Sequence, residues 1–221
     1  MDEMPEQRGC EARWPVVVTI LAVVLLLAWL PGPIRLLPLW ATYVIGGAVL
    51  APIAAVGISA ARASWLRAER ASTLFFCVAM AVASVANLSN VIFAMAHKPG
   101  GITGLQLLAS SVAVWVNNVM TFALLYWQLD RGGPEARVRH ARVPKDWLFP
   151  QESAPAGDVP AAWHPAFVDY LYLAYSTATA FSTTDVMPLT ARAKLLMMLE
   201  STIALVTIVV VASRAINIFG S

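Results

Sequence analysis

Long apolar runs are the feature that most restricts the folds open to this chain. They occupy residues 14–30, 37–60, 71–96, 104–129 and 193–219. Runs of this length with few charges are typical of helices that cross a membrane, because the hydrocarbon core requires about 20 apolar residues of helix. Hydrophobic residues make up 59% of the chain and charged residues 13%, outside the range of soluble domains. The sequence therefore predicts an all-α, multi-pass integral membrane protein of the cell membrane.

A polar stretch precedes the last apolar run. Residues 167–190 are rich in Ser and Thr, contain Asp169 and Asp185, and end near Pro188, which prevents a helix from continuing into the last run. Hydroxyl groups at this density in a membrane segment indicate bonding to neighbouring helices or contact with water. A half-helix that enters and leaves on the same side accounts for these features. We predict five spanning helices and a re-entrant hairpin, with six complete spans as the alternative.

These segments divide the chain into four parts. A polar tail at 1–13 precedes a four-helix transmembrane region at 14–129, a proline-rich polar loop follows at 130–164, and the hairpin and last helix occupy 165–221. The arginine-rich segment 61–70 is predicted to be a cytoplasmic loop. Amide side chains in the third and fourth runs predict hydrogen bonds between those two helices. These amides are Asn87, Asn90, Asn117 and Asn118.

The order of residues in the hairpin resembles the pore module of the potassium-channel superfamily. Two threonines, an aspartate, a Pro-x-Thr turn and the start of an apolar helix follow one another without a gap between about residues 170 and 215. The resemblance implies a pore helix, a selectivity filter and an inner helix. The chain also resembles an uncharacterised family of bacterial multi-pass membrane proteins, which implies no activity. The residues that carry the first resemblance are Thr177, Thr179, Asp185, Pro188, Thr190, Lys194, Leu199 and Glu200.

The filter positions depart from the Thr-Val-Gly-Tyr-Gly sequence of those channels. This chain has Ala180, Phe181, Ser182, Thr183 and Thr184 there. Residues with a Cβ rarely adopt the backbone angles that turn successive carbonyl groups toward an ion. We therefore expect no potassium filter of the usual kind, and expect side-chain hydroxyls or carboxylates to meet any ion that passes.

The resemblance implies a pore-forming subunit of a cation-preferring ion channel. One hairpin per chain cannot enclose a pore, so the resemblance also implies an oligomer, a homotetramer in the family's geometry. A non-conducting membrane scaffold or sensor that kept the pore fold is the alternative, and a small proton or solute carrier that uses Glu200 is a third. The implied pore and filter residues are Thr177, Thr179, Ala180, Phe181, Ser182, Thr183, Thr184 and Asp185, and those of the inner helix are Glu200, Val206, Val209 and Val210.

Three acids fall in the part predicted to be membrane-embedded, namely Asp169, Asp185 and Glu200. Each costs several kcal/mol to hold there unless it is paired or hydrated, which makes the three acids candidates for function. Each also has a structural interpretation. Asp169 would cap the hairpin helix, Asp185 would accept backbone hydrogen bonds from the turn, and Glu200 would pair with Lys194 or with a neighbouring subunit.

Two arguments about orientation disagree. The distribution of Lys and Arg favours a cytoplasmic N-terminus with the hairpin entering from the cytoplasmic side, and six complete spans would also keep the N-terminus inside. Pore loops of the potassium-channel superfamily enter from the outside instead. Entry from the outside behind four helices would place this N-terminus outside and invert the charge distribution.

Other classes of function find little support in the sequence. The net charge of +2 is too small to predict nucleic-acid binding. His97, His140 and His164 are scattered, and nothing has the spacing of a metal site or of a nucleophile with its base. We therefore predict neither an enzyme nor a cofactor or metal site. The expected partners are membrane lipid, further copies of this chain and a permeant cation.

Overall fold

The computed structural model describes residues 13–29, 38–58, 63–97, 104–138, 143–155, 157–160, 163–179 and 185–219. Within these ranges the chain is mostly helical, which confirms the all-α class. The long helices are α1 (Trp14–Trp29), α2 (Leu39–Ile58), α3 (Ala63–His97) and α4 (Gly104–Leu129), followed later by α6 (Phe167–Thr179) and α7 (Ala191–Phe219). Between α4 and α7 lie a 3-10 turn (Asp130–Gly132), α5 (Pro134–Val138), β1 (Trp147–Leu148), a second 3-10 turn (Pro150–Ser153) and β2 (Met187–Pro188).

Three helices in the described ranges are long and apolar enough to cross a membrane. Their apolar segments are Arg67–Asn90, Leu108–Gly132 and Ala191–Ser213. The apolar parts of α1 and α2, Trp14–Trp29 and Trp40–Ala55, are shorter. These helices support the interpretation of the chain as a membrane protein.

Helix α3 begins earlier than the sequence interpretation placed it. Residues 63–70, predicted to be a loop, form its first turns because Ala, Leu, Arg and Glu are all good helix formers. Glu69 is buried in this segment and accepts a hydrogen bond of 2.9 Å from the Arg13 guanidinium. This ion pair joins the start of α1 to the N-terminal part of α3.

Helix α4 lies at the centre of the bundle and packs against α1, α3, α6 and α7. Its C-terminal half is buried on nearly all sides, including Phe122, Tyr126 and Trp127 as well as the polar Asn117, Asn118 and Gln128. The C-terminal end of α4 is therefore covered by elements that follow it in the chain, including α6 and α7.

Helices α3 and α4 are connected by a polar contact between their middles, and only six residues separate the end of α3 from the start of α4. A connection this short can join the helices only if they are antiparallel, because about 20 Å of each helix lies between its middle and the connection. The Asn117 amide donates a hydrogen bond of 3.1 Å to the Ser84 hydroxyl. Amide bonding between these helices is thus confirmed for Asn117, although its partner is a serine, whereas Asn118 bonds to α7. The antiparallel arrangement places the N-terminal end of α3, with its bound Arg13, at the same end of the bundle as the C-terminus of α4.

The polar loop after α4, predicted to be irregular, contains an ordered part at residues 143–155. Strand β1 pairs antiparallel with β2, with Trp147 opposite Pro188 and Leu148 opposite Met187. Trp147 and Phe149 are buried, and the Trp147 ring lies 4.8 Å from the ring of Tyr126. Proline-rich composition could not reveal this packing, because it depends on contacts with α4 and with the segment before α7.

Candidate functional site

Both ends of the hairpin lie at the C-terminal end of α4. In the first turn of α6, the Tyr170 hydroxyl donates a hydrogen bond of 2.7 Å to Asp130 Oδ2. At the other end of the hairpin, the Leu189 amide donates to the Asp146 carbonyl at 2.8 Å. The Asp146 amide in turn donates to Asp130 Oδ1 at 2.9 Å. Residues 167–190 therefore leave this end of the bundle and return to it.

Helix α6 has 13 residues and is about 20 Å long at 1.5 Å per residue. A helix of this length is short of the membrane hydrocarbon core, which is about 30 Å thick. Near its C-terminus, the Thr177 carbonyl accepts a hydrogen bond of 3.2 Å from the Ser201 hydroxyl. The helix therefore ends beside the middle of α7, between that helix and α4.

Asp130 holds the start of the hairpin from a fully buried position. Besides Tyr170, its carboxylate accepts hydrogen bonds from the amides of Asp146 and Trp147, at 2.9 and 3.4 Å, and from Arg131 Nε at 3.3 Å. A buried carboxylate without such donors would be strongly unfavourable, and charged acceptors make stronger hydrogen bonds than neutral ones. The sequence showed only a charged residue after an aromatic pair, because all the donors of Asp130 except Arg131 lie 16 or more positions further along the chain.

Asp146 holds the end of the hairpin in the same way. Its buried carboxylate accepts a hydrogen bond of 2.7 Å from the Thr190 hydroxyl and two from the Arg192 guanidinium, one of them from Nε at 3.3 Å. The Thr190 hydroxyl also accepts from the Ala193 amide at 3.1 Å, as a helix N-cap does. The threonine of the Pro-x-Thr turn recognised in the sequence is therefore the N-cap residue of α7.

Glu152 connects the ordered loop to the α4 terminus by ion pairs. Its carboxylate binds the Arg131 guanidinium and lies 3.0 Å from Lys145 Nζ, and it accepts from the Phe149 amide at 3.2 Å. Partial burial opposes ionisation of Glu152, but these hydrogen bonds and the two positive charges outweigh it. The pKa of Glu152 is therefore lower than its ordinary value of 4.5.

The structure assigns the three predicted acids to different surroundings. Asp169 accepts a hydrogen bond of 2.8 Å from the Ala166 amide, so its predicted capping of the hairpin helix is confirmed. Asp185 is exposed next to buried Val186. Glu200 is fully buried against α4, where its Oε2 accepts a hydrogen bond of 2.5 Å from the Tyr126 hydroxyl.

The predicted pairing of Glu200 with Lys194 is wrong. Lys194 is exposed, and residues six apart on a helix do not share a face, since contacts occur at spacings of three and four. The Glu200 carbonyl accepts a hydrogen bond of 3.3 Å from the Asn118 amide. Glu200 and Asn118 are therefore part of the contact between α4 and α7.

The other predicted pore residues are only partly within the described ranges. Thr177 is buried, and its hydroxyl has no hydrogen-bond partner among the described residues. Thr179 is exposed and donates to the Tyr175 carbonyl at 2.7 Å. On α7, Val209 is exposed, whereas Val206 and Val210 are half-buried. The filter residues Ala180, Phe181, Ser182, Thr183 and Thr184 lie outside the described ranges.

Among the described residues, no three His, Cys, Asp or Glu side chains are grouped so that they could hold a metal ion. Comparisons of the chain with protein-family models, with curated proteins and with solved structures found no match. Function therefore has to be inferred from the residues and their geometry.

Proposed function

We propose that this protein is a subunit of an oligomeric, cation-preferring membrane channel in which residues 167–190 form a re-entrant hairpin among five spanning helices. The observation that carries the proposal is the half-length helix α6, which packs between α4 and α7 while both ends of the hairpin stay at one end of α4. In the potassium-channel superfamily, a half-length pore helix is likewise followed by a filter and then by an inner helix. A complete sixth span would need the hairpin to end at the opposite end of the bundle.

The direction of α6 favours cations. The C-terminal end of a helix carries a partial negative charge, and the last turn of α6 contains no basic residue to neutralise it. This end leads directly into residues 180–184, the predicted filter. The carboxylate of exposed Asp185 follows that segment. Rings of acidic side chains select for cations in channels, and an oligomer would bring several copies of Asp185 together.

Helix α7 has an apolar face that is left exposed by the helices in the described part of the subunit. Leu195, Met198, Leu205 and Val209 are between 48% and 65% exposed on it. In a membrane this face would meet lipid or a second copy of the chain. Because one hairpin cannot enclose a pore, we propose a homotetramer, as the family geometry implies.

The basic residues support entry of the hairpin from the cytoplasmic side. Arg67 and Arg70 lie near the N-terminal end of α3, and Arg131 and Lys145 lie near the C-terminal end of α4, which is the same end of the bundle. Basic residues accumulate on the cytoplasmic side of membrane proteins. This orientation would be the reverse of that in the potassium-channel superfamily, and it fits a protein of the bacterial inner membrane.

Ion flux into liposomes tests the proposal. Purified wild-type protein is expected to conduct potassium and sodium above empty liposomes and to exclude chloride. Asp185→Asn is expected to reduce the preference for cations over chloride, because it removes the carboxylate that follows the filter. Asp158→Asn is the matched control, since Asp158 is exposed in the loop outside the hairpin, and it should leave selectivity unchanged.

One outcome would contradict the channel, namely a verified oligomer that gives no flux under any of the three gradients. That result would favour the non-conducting scaffold or sensor, for which the sequence observation is the replacement of the two filter glycines by Ser182 and Thr184. Flux with equal selectivity in wild type and Asp185→Asn would contradict the proposed role of Asp185 in cation preference.

A further inference from the structure

Glu200 is a buried acid that the proposed ion pathway does not use. It lies at the contact between α4 and α7, with its side chain fully buried. One carboxyl oxygen, Oε2, accepts the hydrogen bond from Tyr126. The other oxygen, Oε1, has no hydrogen-bond partner among the described residues. Glu200 thus has one neutral donor for two oxygens.

The two other buried acids nearby are satisfied very differently. Asp130 and Asp146 each bind an arginine and at least one further hydroxyl or amide donor. Within the described part of the chain, no Lys, Arg or His lies within 4.0 Å of the Glu200 carboxyl. One neutral hydrogen bond is too little to offset the loss of hydration of a carboxylate inside a helix bundle. A bound proton removes the charge and supplies a donor on Oε1.

The titratable groups on the elements packed against α7 offer no substitute for that proton. Tyr126 is the one titratable residue of α4 and bonds to Glu200, and on α6 Tyr170 bonds to Asp130 instead. On α7 itself Lys194 is exposed and Arg192 pairs with Asp146. On α3, Glu69 pairs with Arg13, and on α6, Asp169 accepts from the Ala166 amide. The remaining groups with described side chains are the exposed Arg67 and Arg70 and the buried Cys77 on α3, the exposed Tyr172 and Tyr175 on α6, and the exposed Asp185 before β2.

We propose that Glu200 is a proton-binding site that keeps α7 in contact with α4. In the packed state the carboxyl carries its proton on Oε1 while Tyr126 donates to Oε2. When the proton passes to water, the carboxylate that remains needs water or a cation, which enters only if α4 and α7 separate. The inference does not depend on ion conduction, so it stands or falls separately from the channel.

Infrared spectroscopy of the purified protein tests the site directly. A protonated carboxyl group has a C=O stretching band that a carboxylate lacks. Near neutral pH the wild type is expected to show such a band, and Glu200→Gln is expected to lose it. Tyr126→Phe should shift the band to higher frequency, because a hydrogen bond to the carbonyl oxygen lowers the C=O frequency. Glu152→Gln is the matched control and should leave the band unchanged, since Glu152 is held ionised by Arg131 and Lys145.

Thermal unfolding as a function of pH tests the coupling to helix packing. The melting temperature of the wild type should fall as rising pH removes the proton, and that of Glu200→Gln should not follow this fall. Equal carboxyl bands in wild type and Glu200→Gln would overturn the inference. If Glu200→Gln fails to fold, the other two proteins still test the inference. Absence of the carboxyl band from the wild type, or an unshifted band in Tyr126→Phe, would overturn the inference.

Discussion

Removing the Tyr170 hydroxyl tests whether the contact with Asp130 holds the hairpin at the end of α4. Tyr170→Phe deletes the 2.7 Å hydrogen bond to Asp130 Oδ2 and keeps the packing of the ring. That oxygen then retains only the 3.3 Å contact with Arg131. Hydrogen bonds to buried charged groups contribute about 1.5–3 kcal/mol. We therefore expect Tyr170→Phe to lower the free energy of unfolding by about 2 kcal/mol.

Reversible unfolding of the protein in mixed detergent micelles would measure this change. Tyr172→Phe is the matched control, because Tyr172 lies on the same helix, is 56% exposed and makes no hydrogen bond through its hydroxyl within the described structure. Its free energy of unfolding should stay within about 0.5 kcal/mol of wild type. A double-mutant cycle with Asp130→Asn should show that the effect of Tyr170→Phe depends on the carboxylate. Equal stability of Tyr170→Phe and Tyr172→Phe would refute the reasoning.

Two further predictions concern the segment between α4 and α6. Gly133→Ala should destabilise the protein by about 1–3 kcal/mol, because Gly133 has φ +89° and a Cβ there would lie 2.8 Å from the Gln128 carbonyl oxygen. Gly47→Ala is the control in the same unfolding assay. It should not destabilise the protein, because a Cβ at Gly47 meets nothing within 4 Å. The lowered pKa of Glu152 means that its stabilising contribution is present above pH 4.5 and is lost as the pH falls through the folded-state pKa. Proteolysis of the loop should therefore increase on acidification in wild type but not in Glu152→Gln; an identical pH dependence in both would rule out the Arg131–Glu152 pair as the cause.

The sequence predicted the helical elements better than their limits. Apolar runs located α1, α2, α4 and α7 closely, because hydrophobic length is a local property that a chain must satisfy in a membrane. The sequence interpretation misjudged the start of α3, since arginines that suggest a cytoplasmic loop are also good helix formers. Pro188 correctly predicted a break before α7.

The candidate site was less predictable. Asp169 could be interpreted correctly because its partner, the Ala166 amide, lies three residues away. Asp130 and Asp146 gave no comparable signal, since the hydroxyl groups that bind them, those of Tyr170 and Thr190, lie 40 and 44 positions further along the chain.

The sequence by itself determined that the chain is α-helical, that it has the hydrophobicity of a membrane protein and that a segment rich in Ser and Thr precedes its last helix. These properties follow from composition and local periodicity. Tertiary structure alone decided that both ends of the hairpin meet at Asp130 and Asp146, and that Glu200 faces Tyr126 on α4 instead of Lys194 on its own helix. The physical reason is that a buried polar group is satisfied by whichever donor the packing of distant helices brings within hydrogen-bond distance, and local sequence does not specify that donor.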